Sequence, residues 1–94
     1  MELVQHPKRQ WVNDRANELE EELILLEGSE FDDAIMGIAE VNHLHVVVYS
    51  TSKIIDMLLA DGWLIEDAYE HFYFNIAGAY LGPHTPIYVE DPGV

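Results

Sequence analysis

The sequence predicts a single small α+β domain, and three observations support this class. The chain has 94 residues, enough for one compact domain and too few for two. Hydrophobic residues make up 49% of it, a typical share for a folded protein. Apolar residues recur with helical spacing in some segments and form β-branched runs in others, so both helices and strands are expected.

The first predicted element is an amphipathic helix at about 8–27, followed by an α/β body at about 33–90. Pro7 suits the first turn of a helix, and Gly28 is a natural stop. The apolar residues between them follow a 4-3-4-3 spacing, which draws one stripe along a helix. They are Val12, Ala16, Leu19, Leu23 and Leu26. Tertiary packing of this stripe is expected to stabilise the helix.

Two strands are predicted next, near 34–40 and 44–49. Asn42 at the turn between them tolerates the left-handed backbone of a tight hairpin. The β-branched run Val46-Val47-Val48 suits a central strand. Gly37 inside the first strand indicates a bulge or a close backbone approach.

The rest of the chain predicts two helices and a last strand. Residues 50–52 are Ser, Thr and Ser, all good N-caps for a helix near 52–61. Another helix is expected at about 66–77. A short strand near 85–89 contains Pro86, which places it at a sheet edge. The predicted order is α-β-β-α-α-β, an antiparallel three-stranded sheet packed by helices.

The charge of the chain is strongly negative. Eighteen carboxylates and four basic side chains give a net charge of −14 at pH 7. Residues 18–33 contain eight acidic residues and no lysine or arginine. Such a charge repels nucleic acid and anionic membranes. Solubility and salt adaptation are ordinary explanations, and a surface for a basic partner is the functional one. Glu20, Glu21 and Glu27 lie away from the apolar stripe, so the first helix is expected to have an acidic outer face. The predicted partner-binding acids are these three, followed by Glu30, Asp32 and Asp33.

No metal site, cofactor or catalytic residue is predicted. His43 and His45, two apart near a strand, could share a zinc ion with Asp32, Asp33 or His84, but two histidines near a turn are more simply surface residues. The sequence lacks a Gly-x-Ser-x-Gly motif, a cysteine nucleophile and a dinucleotide fingerprint. We therefore expect a protein that is not an enzyme.

A cluster of acids on the third predicted helix is compatible with either a structural or a catalytic role. The residues are Glu66, Asp67, Glu70 and His71. A catalytic carboxylate pair would need one pKa raised by burial. Acids in the first turns of an exposed helix more simply complement the helix dipole.

Aromatic residues are concentrated in the C-terminal third of the chain. Tyr69, Phe72, Tyr73, Phe74 and Tyr80 are spaced too closely to share one helix face. Packing in the core with an aromatic rim is one interpretation. The other is a partner surface that includes Tyr73 and Tyr80, because aromatic rings carry much of the binding energy at interfaces.

The stretch from Phe72 to Ile87 resembles a C-terminal signature, FxFNxxGAYxGxxTP, of a family of small, mostly uncharacterised proteins of tailed bacteriophages and prophages. The segment Asp33-Ala34-Ile35-Met36-Gly37, together with Val48-Tyr49 and Lys53, resembles the upstream part of that family. The likeness covers roughly residues 32–89. It implies a phage origin and brings no known activity.

Acidity and phage resemblance together predict an inhibitor of a host defence complex, of the anti-CRISPR or anti-restriction type. Its acids would mimic DNA on a basic, nucleic-acid-binding site of a host protein or nucleoprotein complex, with no direct nucleic-acid or membrane binding. The chain start lacks the basic and apolar regions of a signal peptide, so the host cytoplasm is expected.

Two alternative functions remain open from the sequence. One is a protein that sequesters a small ligand in a pocket between the Tyr80–Pro86 loop and the polar groups near Asp33, Tyr49 and Lys53, and a deep cleft with Lys53 inside it would favour this function. The other is an accessory phage protein that self-associates, for example as a homodimer, through an exposed Val12/Leu19/Leu26 stripe.

Overall fold

The computed structural model describes residues 6–92, which form one α+β unit with a three-stranded mixed sheet. The helices are α1 (Pro7–Leu19), α2 (Thr51–Ala60) and α3 (Ile65–His71), and α3 continues into a π-helical segment, Phe72–Ile76. The strands are β1 (Ile35–Val41), β2 (Leu44–Ser50) and β3 (Ile87–Val89), and a 3₁₀ helix, Ser29–Ala34, precedes β1.

Helix α1 is shorter than the sequence predicted. Its first turn has the expected proline, and the backbone N–H of Lys8 donates to His6 Nδ1 at the N-cap. The helix ends because Glu20 adopts a left-handed conformation (φ 57°, ψ 38°) and its N–H returns to carbonyls of the last turn. The prediction of a helix to residue 27 was therefore wrong, and residues 21–28 form an irregular segment.

The predicted apolar stripe is divided by this early end. Val12 is fully buried, and Leu19 is half-buried at the last position of α1. Leu23 and Leu26 lie beyond the helix but still pack against the core. The periodicity of the sequence thus identified residues that contact the core and gave the wrong local conformation for two of them.

The β1–β2 hairpin matches the prediction closely. Asn42 and His43 both have positive φ, as a two-residue turn between twisted strands requires. The strands pair antiparallel, and the register shifts between Ile35 and Gly37. This irregularity confirms the bulge that Gly37 indicated.

The third strand pairs with β2 in parallel, so the prediction of a purely antiparallel sheet was wrong. Val48, Tyr49 and Ser50 oppose Ile87, Tyr88 and Val89, respectively. Residues 51–86, with two helices, separate these strands. Such a long connection can return the chain to the same end of the sheet, which a short hairpin cannot. The strand lies at an edge, as predicted, and Pro86 stands just before it.

Both ends of the α2–α3 region show why its helices begin and stop where they do. Ser50 caps α2, because its Oγ accepts a hydrogen bond from the N–H of Lys53. The π-helical segment closes with the N–H of Ala77 donating to the carbonyl of Phe72. At Gly78 a Cβ would lie 2.7 Å from the carbonyl oxygen of Tyr73, so only glycine fits there.

The core lies between the sheet and the helices. Its buried members are Val12, Ala34, Ile35, Val47, Tyr49, Ile54, Ile55, Leu58, Ala68 and Phe72. Central strand β2 contributes most from the sheet, and α2 presents one apolar face to it. Among residues 6–92, no helix is long and apolar enough to cross a membrane.

Leu58→Ala should lower the free energy of unfolding by about 2–5 kcal/mol, because it truncates a large side chain that is only 5% exposed. Urea unfolding followed by circular dichroism measures the change. Leu81→Ala is the matched control, since Leu81 is 53% exposed and should change stability by about 0.5 kcal/mol or less. Equal losses in both variants would contradict the assignment of Leu58 to the core.

Candidate interaction surface

The acidic face predicted on the first helix does not form, because α1 ends before the acids that were to compose it. Glu20 is the C-cap of α1, and Glu21 and Glu27 lie in the irregular segment beyond. Glu20, Glu27 and Glu30 are exposed. The other predicted acids have internal partners, described next.

Asp32 is completely buried and pairs with Arg9. Arg9 Nη2 lies 2.8 Å from Asp32 Oδ1, and Arg9 Nε donates to both carboxylate oxygens at 2.9–3.0 Å. The Asp32 hydrogen bond raises the pKa of Arg9 above its ordinary value against the opposing effect of burial. Asp32 therefore has no exposed surface to offer a partner, and its role is structural.

The same arginine fixes the irregular segment. Arg9 Nη2 donates to the carbonyl of Leu26 at 3.0 Å, and the N–H of Leu26 donates to the hydroxyl of Tyr49 at 2.9 Å. Burial raises the pKa of the Tyr49 hydroxyl. One chain of polar contacts thus links α1, the 3₁₀ helix, the irregular segment and β2.

Asp33 is exposed but lies beside two lysines. Its carboxylate is 3.9 Å from Lys8 Nζ and 3.7 Å from Lys53 Nζ, and the imidazole of His6 is 3.9 Å away. Lys8 Nζ also donates to the Asp33 carbonyl at 2.8 Å. The Asp33 carboxylate is therefore paired with cations of the same chain, unlike a member of the continuous acidic patch that the sequence predicted.

Glu21 connects the irregular segment to β2 and to the loop before β3. It accepts hydrogen bonds from the backbone N–H of His45 at 2.9 Å and from His45 Nδ1 at 2.6 Å. His84 Nε2 lies 3.2 Å from Glu21 Oε1, the oxygen that also accepts from the His45 backbone. The hydrogen bond from the His45 backbone, followed by those from the two imidazoles, holds the pKa of Glu21 below its usual value.

The histidines considered as zinc ligands do not all lie together in the structure. His45 and His84 meet at Glu21, whereas His43 is exposed at the hairpin turn. Within residues 6–92 no group of three or more histidine and acidic side chains is arranged to hold a metal ion. His45 and His84 are explained as hydrogen-bond partners of a carboxylate.

Each of the four basic side chains of the protein has a carboxylate partner. Lys8 and Lys53 lie beside Asp33, Arg9 pairs with Asp32, and Arg15 pairs with Glu18. No basic partner lies within 4 Å of the exposed acids of α2 and α3 among residues 6–92. These acids are Asp56, Glu66, Asp67 and Glu70.

Helix α3 and the π-helical segment bury one narrow face and expose the others. Ala68 and Phe72 pack in the core. Tyr73, which is 52% exposed, stacks with Tyr69 at 6.4 Å between ring centroids. Tyr80, in the loop that follows, is 80% exposed. We call the exposed apolar residues here the aromatic surface: Trp63, Leu64, Ile65, Tyr69, Tyr73, Phe74, Tyr80 and Leu81.

A cleft of about 380 Å³ opens on this surface. Its lining residues are Trp63, Asp67, Glu70, His71, Phe74 and Asn75. The rings of Trp63 and His71 lie 4.6 Å apart, and Asn75 Nδ2 donates to His71 Nδ1 at 3.1 Å. The cleft therefore combines two aromatic walls with two carboxylates.

Sequence reasoning identified the acids of this cleft but missed Trp63, which completes it. The acids were assigned to the helix dipole because their spacing alone fits that purpose. Trp63 precedes α3 and comes to the cleft through the Gly62 turn, where φ is 100°. The signal that could have found it was a tryptophan at i−4 from an acid, Asp67, close to the start of a helix.

No protein-family model, no curated protein and no solved structure matches the chain. The function is therefore inferred from the chain's own residues.

Arg9→Met should destabilise the protein by about 3–5 kcal/mol, because it leaves the Asp32 carboxylate buried without its cation. Urea unfolding measures the change. Arg15→Met is the matched control: Arg15 pairs with Glu18 on the surface, at 3.7 Å, and its loss should cost about 1 kcal/mol or less. If the two variants were equally stable, Arg9–Asp32 would not be a structural pair.

Glu21→Gln should show a pH-dependent loss of stability relative to the native chain. Because the folded pKa of Glu21 is lowered, its contribution is present above the ordinary pKa of 4.5 and is lost as pH falls below it. The difference in unfolding free energy between the two proteins should therefore shrink as pH is lowered from 5 to 3. Glu22→Gln is the matched control, since it removes a neighbouring carboxylate that is exposed, and at neutral pH it should lower stability less than Glu21→Gln does. A pH-independent difference for Glu21→Gln would refute the assignment.

Proposed function

We propose that the protein is a phage-encoded acidic inhibitor that binds a basic, nucleic-acid-binding site of a host defence complex of the anti-CRISPR or anti-restriction type. The observation that carries the proposal is the aromatic surface, because large apolar side chains lie exposed there among carboxylates without basic partners. Aromatic rings surrounded by acids fit a partner surface rich in arginine and lysine. The phage resemblance of residues 32–89 supports the biological setting.

Attraction at long range is the expected role of the remaining acids. The net charge of −14 would steer the protein towards a surface that normally binds phosphates. Glu20, Glu27 and Glu30 are exposed and can contribute to this attraction. Short-range affinity would come from Tyr73, Tyr80 and their neighbours, since an exposed ion pair alone contributes only about 0–1 kcal/mol.

Two observations make the alternatives less favourable. Self-association through the Val12/Leu19/Leu26 stripe would need that stripe exposed, but Val12 is buried and Leu26 packs against the core. Sequestering of a small ligand was tied to Lys53 inside a deep cleft. Lys53 is instead half-exposed and paired with Asp33.

The proposal is tested by capturing the partner from a bacterial host with the tagged protein and identifying it by mass spectrometry. We expect a nucleic-acid-binding protein or nucleoprotein complex. Excess duplex DNA should displace the inhibitor from the purified partner, and the association rate should fall steeply as salt rises. A partner that binds DNA and this protein simultaneously, at a salt-independent rate, would refute the proposal.

Tyr73→Ala combined with Tyr80→Ala should weaken binding to that partner by about thirtyfold or more, equivalent to about 2 kcal/mol, a usual effect of truncating aromatic anchors. Surface plasmon resonance measures the affinity, and circular dichroism checks the fold. Met36→Ala is the control, since Met36 is 53% exposed on β1, outside the aromatic surface. Equal affinity of the tyrosine variant and the native protein would show that the aromatic surface does not bind.

A further inference from the structure

We infer that the cleft beside Trp63 receives an arginine side chain of the partner. This inference rests on the proposed function and specifies the chemistry that its binding surface recognises. The cleft is open and about 380 Å³ in volume, at the lower end of the range of small-molecule sites, about 300–1,000 Å³. Its size and openness suit one long side chain delivered by a polypeptide.

The charges of the cleft select a cation. Asp67 and Glu70 are three residues apart on α3, so their exposed carboxylates lie on neighbouring positions of one helix face. Like charges at this spacing repel each other, and no basic side chain lies within 4 Å of either among residues 6–92. A cation placed between them would remove the repulsion and form charge-assisted hydrogen bonds with both.

The walls of the cleft select a cation with an apolar or planar body. Trp63 is 39% exposed and Phe74 is 76% exposed, so both present ring surface to the opening. Tryptophan is the best aromatic partner for a cation above its ring. The ring of His71, 4.6 Å from that of Trp63, holds the indole in place before any ligand arrives.

His71 is held in place within the cleft by two contacts. Its Nδ1 lies 3.1 Å from Asn75 Nδ2, and its ring packs against that of Trp63. The carboxylates that line the cleft beside this imidazole are those of Asp67 and Glu70.

Arginine fits these features better than lysine. A guanidinium is planar, stacks on aromatic faces and presents a fork of N–H donors that matches carboxylates. It can stack on Trp63 while donating to Asp67 and Glu70. The ammonium group of lysine is a compact, strongly hydrated charge that cannot do both equally well.

The test uses a hexa-arginine peptide as the probe, with hexalysine and hexacitrulline peptides as comparisons. The chain contains two tryptophans, so their indole N–H resonances report separately in a ¹H–¹⁵N spectrum. We expect hexa-arginine to shift the Trp63 indole signal and to leave that of Trp11, on α1, unchanged. Hexalysine should bind several-fold more weakly, and hexacitrulline, which lacks the charge, should leave Trp63 unchanged.

Variants separate the cleft from general electrostatic attraction. Asp67→Asn with Glu70→Gln should weaken hexa-arginine binding by about tenfold, because both charge-assisted contacts are lost. Glu40→Gln with Asp56→Asn removes the same charge from exposed positions that do not line the cleft and should have a much smaller effect. The inference is wrong if the Trp63 indole resonance does not shift when hexa-arginine is added. It is also wrong if both double variants weaken hexa-arginine binding equally.

The identified partner distinguishes this inference from the proposed function. If the Tyr73/Tyr80 variant loses the partner while the Asp67/Glu70 variant keeps native affinity, the arginine cleft is wrong and the proposed function stands. If both variants keep native affinity, the proposed function is wrong as well. If both variants lose affinity for the partner while the Glu40/Asp56 variant keeps it, the result supports the arginine cleft.

Discussion

The ion pair between Arg9 and Asp32 is the contact on which the arrangement of the N-terminal third depends. Arg9 contacts a buried carboxylate and a backbone carbonyl at Leu26, and Leu26 in turn donates to Tyr49 of the central strand. Together with the hydrogen bonds of Glu21 to His45 on β2, this bridge attaches α1 and the irregular segment to the sheet. A desolvated pair contributes little net energy compared with an apolar replacement, so the observed role of Arg9 is to hold Asp32 and the Leu26 backbone together.

The sequence predicted the elements whose signals are local. The Asn42 turn, the Gly37 bulge and the Ser50 cap each depend on a residue's own backbone preference or on hydrogen bonds a few positions away. The end of α1 and the direction of β3 depend on distant partners. Leu26 leaves the helical path and binds Arg9 and Tyr49, and no periodicity in the sequence records that contact.

The same limit applies to the candidate site: the sequence shows which residue types are present but not where distant contacts place them. An aspartate in a sequence gives no sign of whether it will be buried, and adjacent Asp32 and Asp33 differ completely: one is internal, the other exposed beside two lysines. The burial of Phe72 and the exposure of Tyr73 and Tyr80 fit both interpretations that the sequence left open, an aromatic rim around the core and a partner surface. The cleft could not be predicted, because it needs the turn that brings Trp63 to α3.

Three of the four basic side chains are paired with two adjacent aspartates. Lys8 and Lys53 lie beside Asp33, and Arg9 pairs with Asp32. The exposed carboxylates of α2 and α3 have no basic side chain within 4 Å among residues 6–92. A basic macromolecule would therefore be attracted more strongly to those two helices than to the neighbourhood of Asp33, which biases the first encounter before any side chains touch.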